Sequence, residues 1–107
     1  MLQGNVFTAI PTATPEEFSE SLVGRRGVKF ERIVSRGHAS PPDFWYDQEQ
    51  HEFVFVVSGR AVLDFDDGRR LELSAGDWVQ IDAHVRHRVN WTDPEVDTIW
   101  LVAFFDV

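Results

Sequence analysis

The segment Ser74–Trp91, SAGDWVQIDAHVRHRVNW, decides the fold of this chain. It begins with a Gly-Asp turn, continues with a short apolar run, and then carries His84 in a tight loop. From His87 onward polar and apolar residues alternate, and successive side chains of a strand point to opposite faces. His87 therefore shares a face with Val89 and Trp91, which predicts a titratable ring that points into an apolar core or cavity.

The composition favours one β-rich domain. A chain of 107 residues is the size of a single domain, and its nine Phe and four Trp suit pleated sheets. The formal charge of -8 argues against nucleic acid and anionic membranes as partners, because phosphate binding needs clustered Lys and Arg. The chain has no Cys, no recognisable signal peptide and no apolar stretch of membrane-spanning length, so we expect a cytoplasmic protein.

Turn residues at short intervals separate seven segments with strand character, at 28–34, 52–57, 61–65, 69–73, 78–81, 87–92 and 98–105. Such a series without βαβ alternation is typical of an all-β sandwich or barrel. One short helix is predicted at about 15–22, because Thr14 is a suitable N-cap, Pro15 suits the first turn and Glu17 completes a capping box. The predicted single domain therefore consists of an arm and helix over residues 1–27 and a barrel over residues 28–107.

Two motifs of the chain resemble those of the cupin superfamily. Glu52 and Gly59 stand at the interval of the family's first motif, and Gly76 and His87 stand at the interval of its second. The resemblance spans roughly residues 28–105 and is strongest to small single-domain bacterial cupins. It implies a double-stranded β-helix, the cupin jelly-roll barrel, with a degenerate first motif.

The resemblance breaks where the family carries its His-x-His pair. The family leaves three or four residues between this pair and the Glu. With four residues the two positions are Trp45 and Asp47, and with three they are Tyr46 and Gln48. In the family these histidines, the Glu and the later His usually hold a metal, so the resemblance implies a divalent ion: zinc, manganese, iron or nickel. The candidate metal ligands of this chain are Asp47, Gln48, Glu52, His84 and His87.

Three interpretations of the site stay open. A divalent metal is bound; or Glu52 and His87 form a metal-free polar pair that orients a small-molecule ligand; or both are satisfied polar groups of a core without catalysis. The predicted pocket lies between two sheets and is also lined by Trp45, Tyr46, Val89 and Trp91.

The chemistry of this pocket is not determined by the fold, because one fold hosts many reactions. An enzyme could use His84 or Tyr46 to move protons. The alternative is a non-catalytic module that binds or senses a small ligand without metal. Exposed aromatic residues and the apolar segment 98–105 also offer a surface for a homodimer.

Overall fold

The computed structural model describes residues 1–11 and 15–107, which form eight β-strands. The strands are β1 (Phe18–Arg25), β2 (Val28–Ser35), β3 (His51–Ser58), β4 (Arg60–Phe65), β5 (Arg70–Ser74), β6 (Trp78–Ile81), β7 (His87–Thr92) and β8 (Thr98–Phe105). Antiparallel pairing gives a five-stranded sheet, in the order β1-β2-β8-β3-β6, and a three-stranded sheet, in the order β5-β4-β7. The prediction of an all-β double-stranded β-helix is confirmed.

The segment predicted to be a helix is a strand instead. β1 pairs antiparallel with β2, from Phe18 opposite Val34 to Arg25 opposite Val28. Local helix propensity is a weak preference, and pairing with the edge of β2 overrides it. The predicted cap, Thr14, lies outside the described residues. No described segment is a helix long and apolar enough to cross a membrane.

The N-terminal arm is fastened to the outside of β2 by one buried arginine. Arg32 Nη1 donates hydrogen bonds to the carbonyl oxygens of Val6 and Thr8, at 3.1 and 2.6 Å, and Nη2 donates to that of Ala9 at 3.3 Å. The same guanidinium pairs with Glu20 of β1 at 2.5 Å. The arm is thus held by a single side chain that also ties β1 to β2.

The core lies between the two sheets. Its buried members include Val54 and Val56 of β3, Leu63 of β4 and Val102 of β8. Complete burial of such a side chain stabilises the fold by about 1.5–3 kcal/mol. On the outer face of the five-stranded sheet, Phe53 stacks on the largely exposed Trp78 with ring centroids 5.5 Å apart. The homodimer that such residues would serve stays a prediction.

The turn between β3 and β4 explains the glycine of the first motif. Gly59 has a φ of +89°, and a Cβ atom at this position would lie 2.5 Å from the Cα of Thr98. Both the backbone conformation and the space therefore exclude other residues without a shift of β8. This turn sets the path of the chain from β3, which carries Glu52, into β4.

A bulge in β7 changes which of its side chains face inward. The pairing of β7 with β4 skips Asn90, which is therefore an extra residue in the ladder. An extra residue reverses the alternation beyond it. Thr92 is consequently 1% exposed and Trp91 is 38% exposed. The prediction that Trp91 faces the interior is wrong for this reason, whereas Val89, which precedes the bulge, does face it.

Candidate functional site

A cavity of about 270 Å³ lies between the two sheets at one end of the core. Its apolar walls include Val54, Leu63, Trp100 and Phe104, and its polar lining is formed by Glu17, Ser19, Glu31, Tyr46, Gln48, Glu52 and His87. At roughly 30 Å³ per water, this space equals about nine water molecules. It therefore suits a small organic molecule.

Glu52 and His87 meet inside this cavity from opposite sheets. Glu52 lies on β3, paired with Ile81 of β6 and Phe104 of β8, whereas His87 begins β7 in the other sheet. The Oε1 atom of Glu52 is 3.1 Å from the Nε2 atom of His87. The two residues are only 8% and 5% exposed. The structure thus brings together two of the predicted ligands as a buried hydrogen-bonded pair.

The partners of the His87 ring determine how many protons the pair holds. Nδ1 lies 2.9 Å from the carbonyl oxygen of Val85, which can only accept, so Nδ1 carries a proton. Nε2 faces a carboxylate oxygen, so a second proton lies between Nε2 and Glu52. The pair therefore consists of an imidazolium beside a carboxylate, or of a neutral ring beside a carboxylic acid. In both forms one proton is shared across the two sheets.

The surroundings of His87 favour its charged form. Burial alone lowers the pKa of the imidazole, but the hydrogen bonds to Glu52 and to the Val85 carbonyl, with the charge of Glu52, outweigh burial. The pKa of His87 is therefore raised above its ordinary value of 6.5. This shift widens the pH range in which the ring holds a second proton that it can give to a bound molecule.

Tyr46 covers the pair on one side. Its backbone exchanges two hydrogen bonds with that of His87, at 2.7 and 3.2 Å, and its ring lies 5.5 Å from the imidazole. Burial and the negative charges of Glu17 and Glu52 raise the pKa of the phenol, although a hydrogen bond with Ser40 opposes them. Tyr46 therefore stays protonated and is available as a hydrogen-bond donor.

Besides Trp91, three of the predicted site residues lie away from the cavity lining. Asp47 and His84 bind each other instead, with Oδ1 2.7 Å from Nδ1, and their side chains are 49% and 64% exposed. The guanidinium of Arg86 lies over the ring of Trp45, 5.9 Å from the centroid of that ring. Of the two alternative residue pairs for the His-x-His positions, the structure places Tyr46 and Gln48 in the cavity.

The donor set falls short of a complete metal site. Zinc sites use three or four protein ligands that offer nitrogen, sulfur or carboxylate oxygen. The cavity supplies Glu52 and His87, and the next candidate is the neutral amide of Gln48. Among the described residues no group of three or more His, Cys, Asp or Glu is arranged to hold a metal ion. These side chains therefore do not fit a tightly bound divalent ion.

Several cavity residues were missed by the sequence reasoning. Glu17 and Ser19 belong to the segment that was interpreted as a helix; Glu17 directly precedes β1, Ser19 lies within it, and both line the cavity. Glu31 and Ile33 of β2 reach it by the same alternation. The alternation of β2, a strand that the sequence predicts, could have identified Glu31 and Ile33, whereas the segment of Glu17 and Ser19 carries no such signal.

Comparisons with known proteins agree with this architecture. A family profile described as Cupin domain matches residues 31–104. A protein of Ralstonia eutropha JMP134, provisionally named mannose-6-phosphate isomerase, is 44% identical, with 98% of each chain covered and a TM-score of 0.94. No curated protein sequence matches.

Two more distant solved structures share the fold alone. An RmlC-like cupin of Shewanella frigidimarina NCIMB 400 is 19% identical, covers 99% of this chain and 90% of its own, and has a TM-score of 0.75. The polyketide cyclase RemF of Streptomyces resistomycificus is 21% identical over 85% of this chain and 66% of its own, with a TM-score of 0.71. The profile match covers most of the chain and its intact motif residues Glu52, Gly59, Gly76 and His87, so the chain belongs to the cupin domain family.

Proposed function

We propose that this cupin binds a small organic molecule inside the barrel and exchanges a proton with it through the Glu52–His87 pair. The observation that carries the proposal is this buried pair, 3.1 Å apart, which opens onto a cavity of about 270 Å³ with largely apolar walls. Ligand sites typically combine apolar walls with a few converging polar groups. A shared proton beside a bound molecule suits general acid–base chemistry, and the Tyr46 phenol would orient the ligand.

The name of the Ralstonia relative suggests a phosphorylated sugar as substrate. Proteins recognise phosphate with Arg, Lys and backbone N–H groups. The described cavity lining contains neither Arg nor Lys, and it contains the carboxylates of Glu17, Glu31 and Glu52. The described lining thus offers no Arg or Lys to balance a phosphate dianion, and the Glu17 carboxylate would repel it. We therefore propose a ligand without a phosphate group.

A metal-dependent function is the second candidate. It is supported by Gln48, which lines the same cavity as Glu52 and His87. These three side chains do not fit a tightly bound ion, so this candidate is a weakly held divalent ion that would supply a Lewis acid at the site. The two candidates differ in a measurable way, because metal would have to replace the proton shared by the pair.

Binding is tested with benzyl alcohol, an uncharged probe of suitable size. Isothermal titration calorimetry should detect one site per chain, and the NMR signals of the His87 ring should shift on binding. Val89→Trp, which places a bulky ring against the cavity, should abolish binding. The matched control is Trp91→Ala on the same strand, which alters an exposed side chain and should leave binding unchanged. Equal binding by both variants would contradict a site inside the barrel.

Metal content separates the two candidates. Protein purified without a metal-affinity tag should contain no stoichiometric metal, and chelator treatment should leave benzyl alcohol binding unchanged. Stoichiometric zinc, manganese, iron or nickel that disappears in His87→Ala would instead establish the second candidate and overturn the first.

A further inference from the structure

In the part of the chain that the structure describes, three carboxylates line the cavity, and they differ in whether a neighbouring positive charge balances their negative charge. Glu52 shares a proton with His87, so this pair is neutral as a unit. Glu31 lies 3.7 Å from the ammonium of Lys29, which also rests 5.1 Å from the ring centroid of Phe104. Two of the three cavity carboxylates therefore already have a compensating charge.

Glu17 is the third carboxylate, and it accepts a hydrogen bond from a neutral hydroxyl. Its Oε2 atom accepts from the Oγ of Ser35 at 2.5 Å, and this Oγ accepts from the Nε1 of Trp100 at 3.0 Å. Ser35 and Trp100 are both buried. The chain of hydrogen bonds fixes the carboxylate against the cavity wall without neutralising it.

Glu17 also lies where the cavity continues to the surface. Glu17, Tyr46 and Val89 line both the cavity and an outer groove that runs along the loop of residues 37–41. A molecule that fills the cavity and extends into this groove passes beside the Glu17 carboxylate. The negative charge of Glu17 already acts on the neighbouring phenol of Tyr46.

We infer that the ligand carries a positively charged group, such as a protonated amine, and that Glu17 selects it at the mouth of the apolar cavity. This inference rests on the proposed small-molecule site and assigns its ligand class. The apolar part of the ligand occupies the inner cavity, next to Glu52 and His87. Its cationic end forms a charge-assisted hydrogen bond with Glu17.

Three probes of nearly equal shape test the charge preference: benzylamine, benzyl alcohol and benzoate, which are cationic, neutral and anionic at neutral pH. Calorimetry on the wild-type protein should show benzylamine binding about twofold to fivefold more tightly than benzyl alcohol, within the range for an exposed ion pair. Benzoate should bind more weakly than benzyl alcohol.

The variants identify the carboxylate that is responsible. Glu17→Gln should remove the advantage of benzylamine while leaving the affinity for benzyl alcohol unchanged, and Glu17→Asp should retain part of it. Glu72→Gln is the matched control, because it removes one negative charge from an exposed residue of β5 that does not line the cavity, and it should keep the advantage. Far-ultraviolet circular dichroism checks that each variant is folded.

Each remaining outcome overturns a different statement. If wild-type protein binds benzylamine and benzyl alcohol equally, the charge preference is wrong and the proposed site stands. If the advantage survives in Glu17→Gln, Glu17 is not the selecting residue. If none of the three probes binds, the proposed small-molecule site is overturned together with its ligand class.

Discussion

Replacing Glu52 by Gln should make the stability of the protein depend on pH in a new way. The substitution keeps the shape of the side chain and removes its charge. In the wild-type protein the pKa of His87 is raised above the unfolded value of 6.5. The stabilisation from protonated His87 is therefore fully present below pH 6.5 and is lost as the pH rises through the folded pKa.

The distance between the two side chains sets the magnitude. Two unit charges 3.1 Å apart attract each other by about 5 kcal/mol at an effective dielectric constant of about 20. The desolvation of both ions offsets most of this attraction. The net contribution should be about 1.5–3 kcal/mol, as for other hydrogen bonds to charged groups.

In Glu52→Gln, burial of the His87 ring persists and the balancing charge is gone. The pKa of His87 should then fall below its ordinary value, so the variant loses stability as the pH falls. We expect a loss of about 2 kcal/mol at about pH 5.5, and a much smaller difference at a pH well above the folded pKa of His87, where the ring is neutral in both proteins. NMR titration of the His87 ring reports its pKa directly.

Urea unfolding followed by tryptophan fluorescence measures the free energies of unfolding. Asp47→Asn is the matched control, because Asp47 pairs with His84 at 2.7 Å but both side chains are about half exposed or more. An exposed pair should contribute less than about 0.5 kcal/mol at either pH. A loss in Glu52→Gln that is the same at both pH values would refute the shared proton.

Two further substitutions test the fold around the site. Arg32→Met should lower the free energy of unfolding by about 2–4 kcal/mol, because three carbonyl oxygens and Glu20 lose a buried donor. Chymotrypsin should also cleave faster after the exposed Phe7 of the arm, and an unchanged cleavage rate would show that Arg32 does not hold it. Gly59→Ala should cost more than about 3 kcal/mol in urea unfolding, because its Cβ meets the backbone of β8 at 2.5 Å. Gly68→Ala has a similar φ of +94° and open space, so it should cost only about 1–2 kcal/mol, and equal losses would contradict the steric explanation.

The sequence was sufficient to predict the barrel, because the spacing of the motifs and the alternation within the strands indicate the same fold. Each of the seven strands predicted after residue 27 is present. The errors arose where long-range pairing decides the structure. Residues 18–25 carry helix-like local signals and become a strand only because β2 offers a free edge. Trp91 turns outward because of a bulge at Asn90, for which the sequence of β7 contains no local signal.

Site residues could be predicted only where the strand that carries a residue determines whether its side chain points into the cavity. Adjacent residues of an extended chain face opposite ways, so Asp47 and Gln48 cannot both enter the cavity. The structure turns Gln48 inward and leaves Asp47 outside with His84. A histidine–carboxylate contact occurs at both places, yet only the contact between Glu52 and His87 is buried.

This difference in burial decides which chemistry each contact can perform. Water solvates and screens the exposed contact, so it offers a bound molecule little that the solvent does not. The buried pair faces an apolar cavity, where a charge is expensive unless a partner balances it. With a neutral amide at the inward first-motif position, the negative charge of Glu52 is balanced by the protonated ring of His87. Under the proposed function, a framework that the family usually associates with metal carries a transferable proton at the same position in this chain.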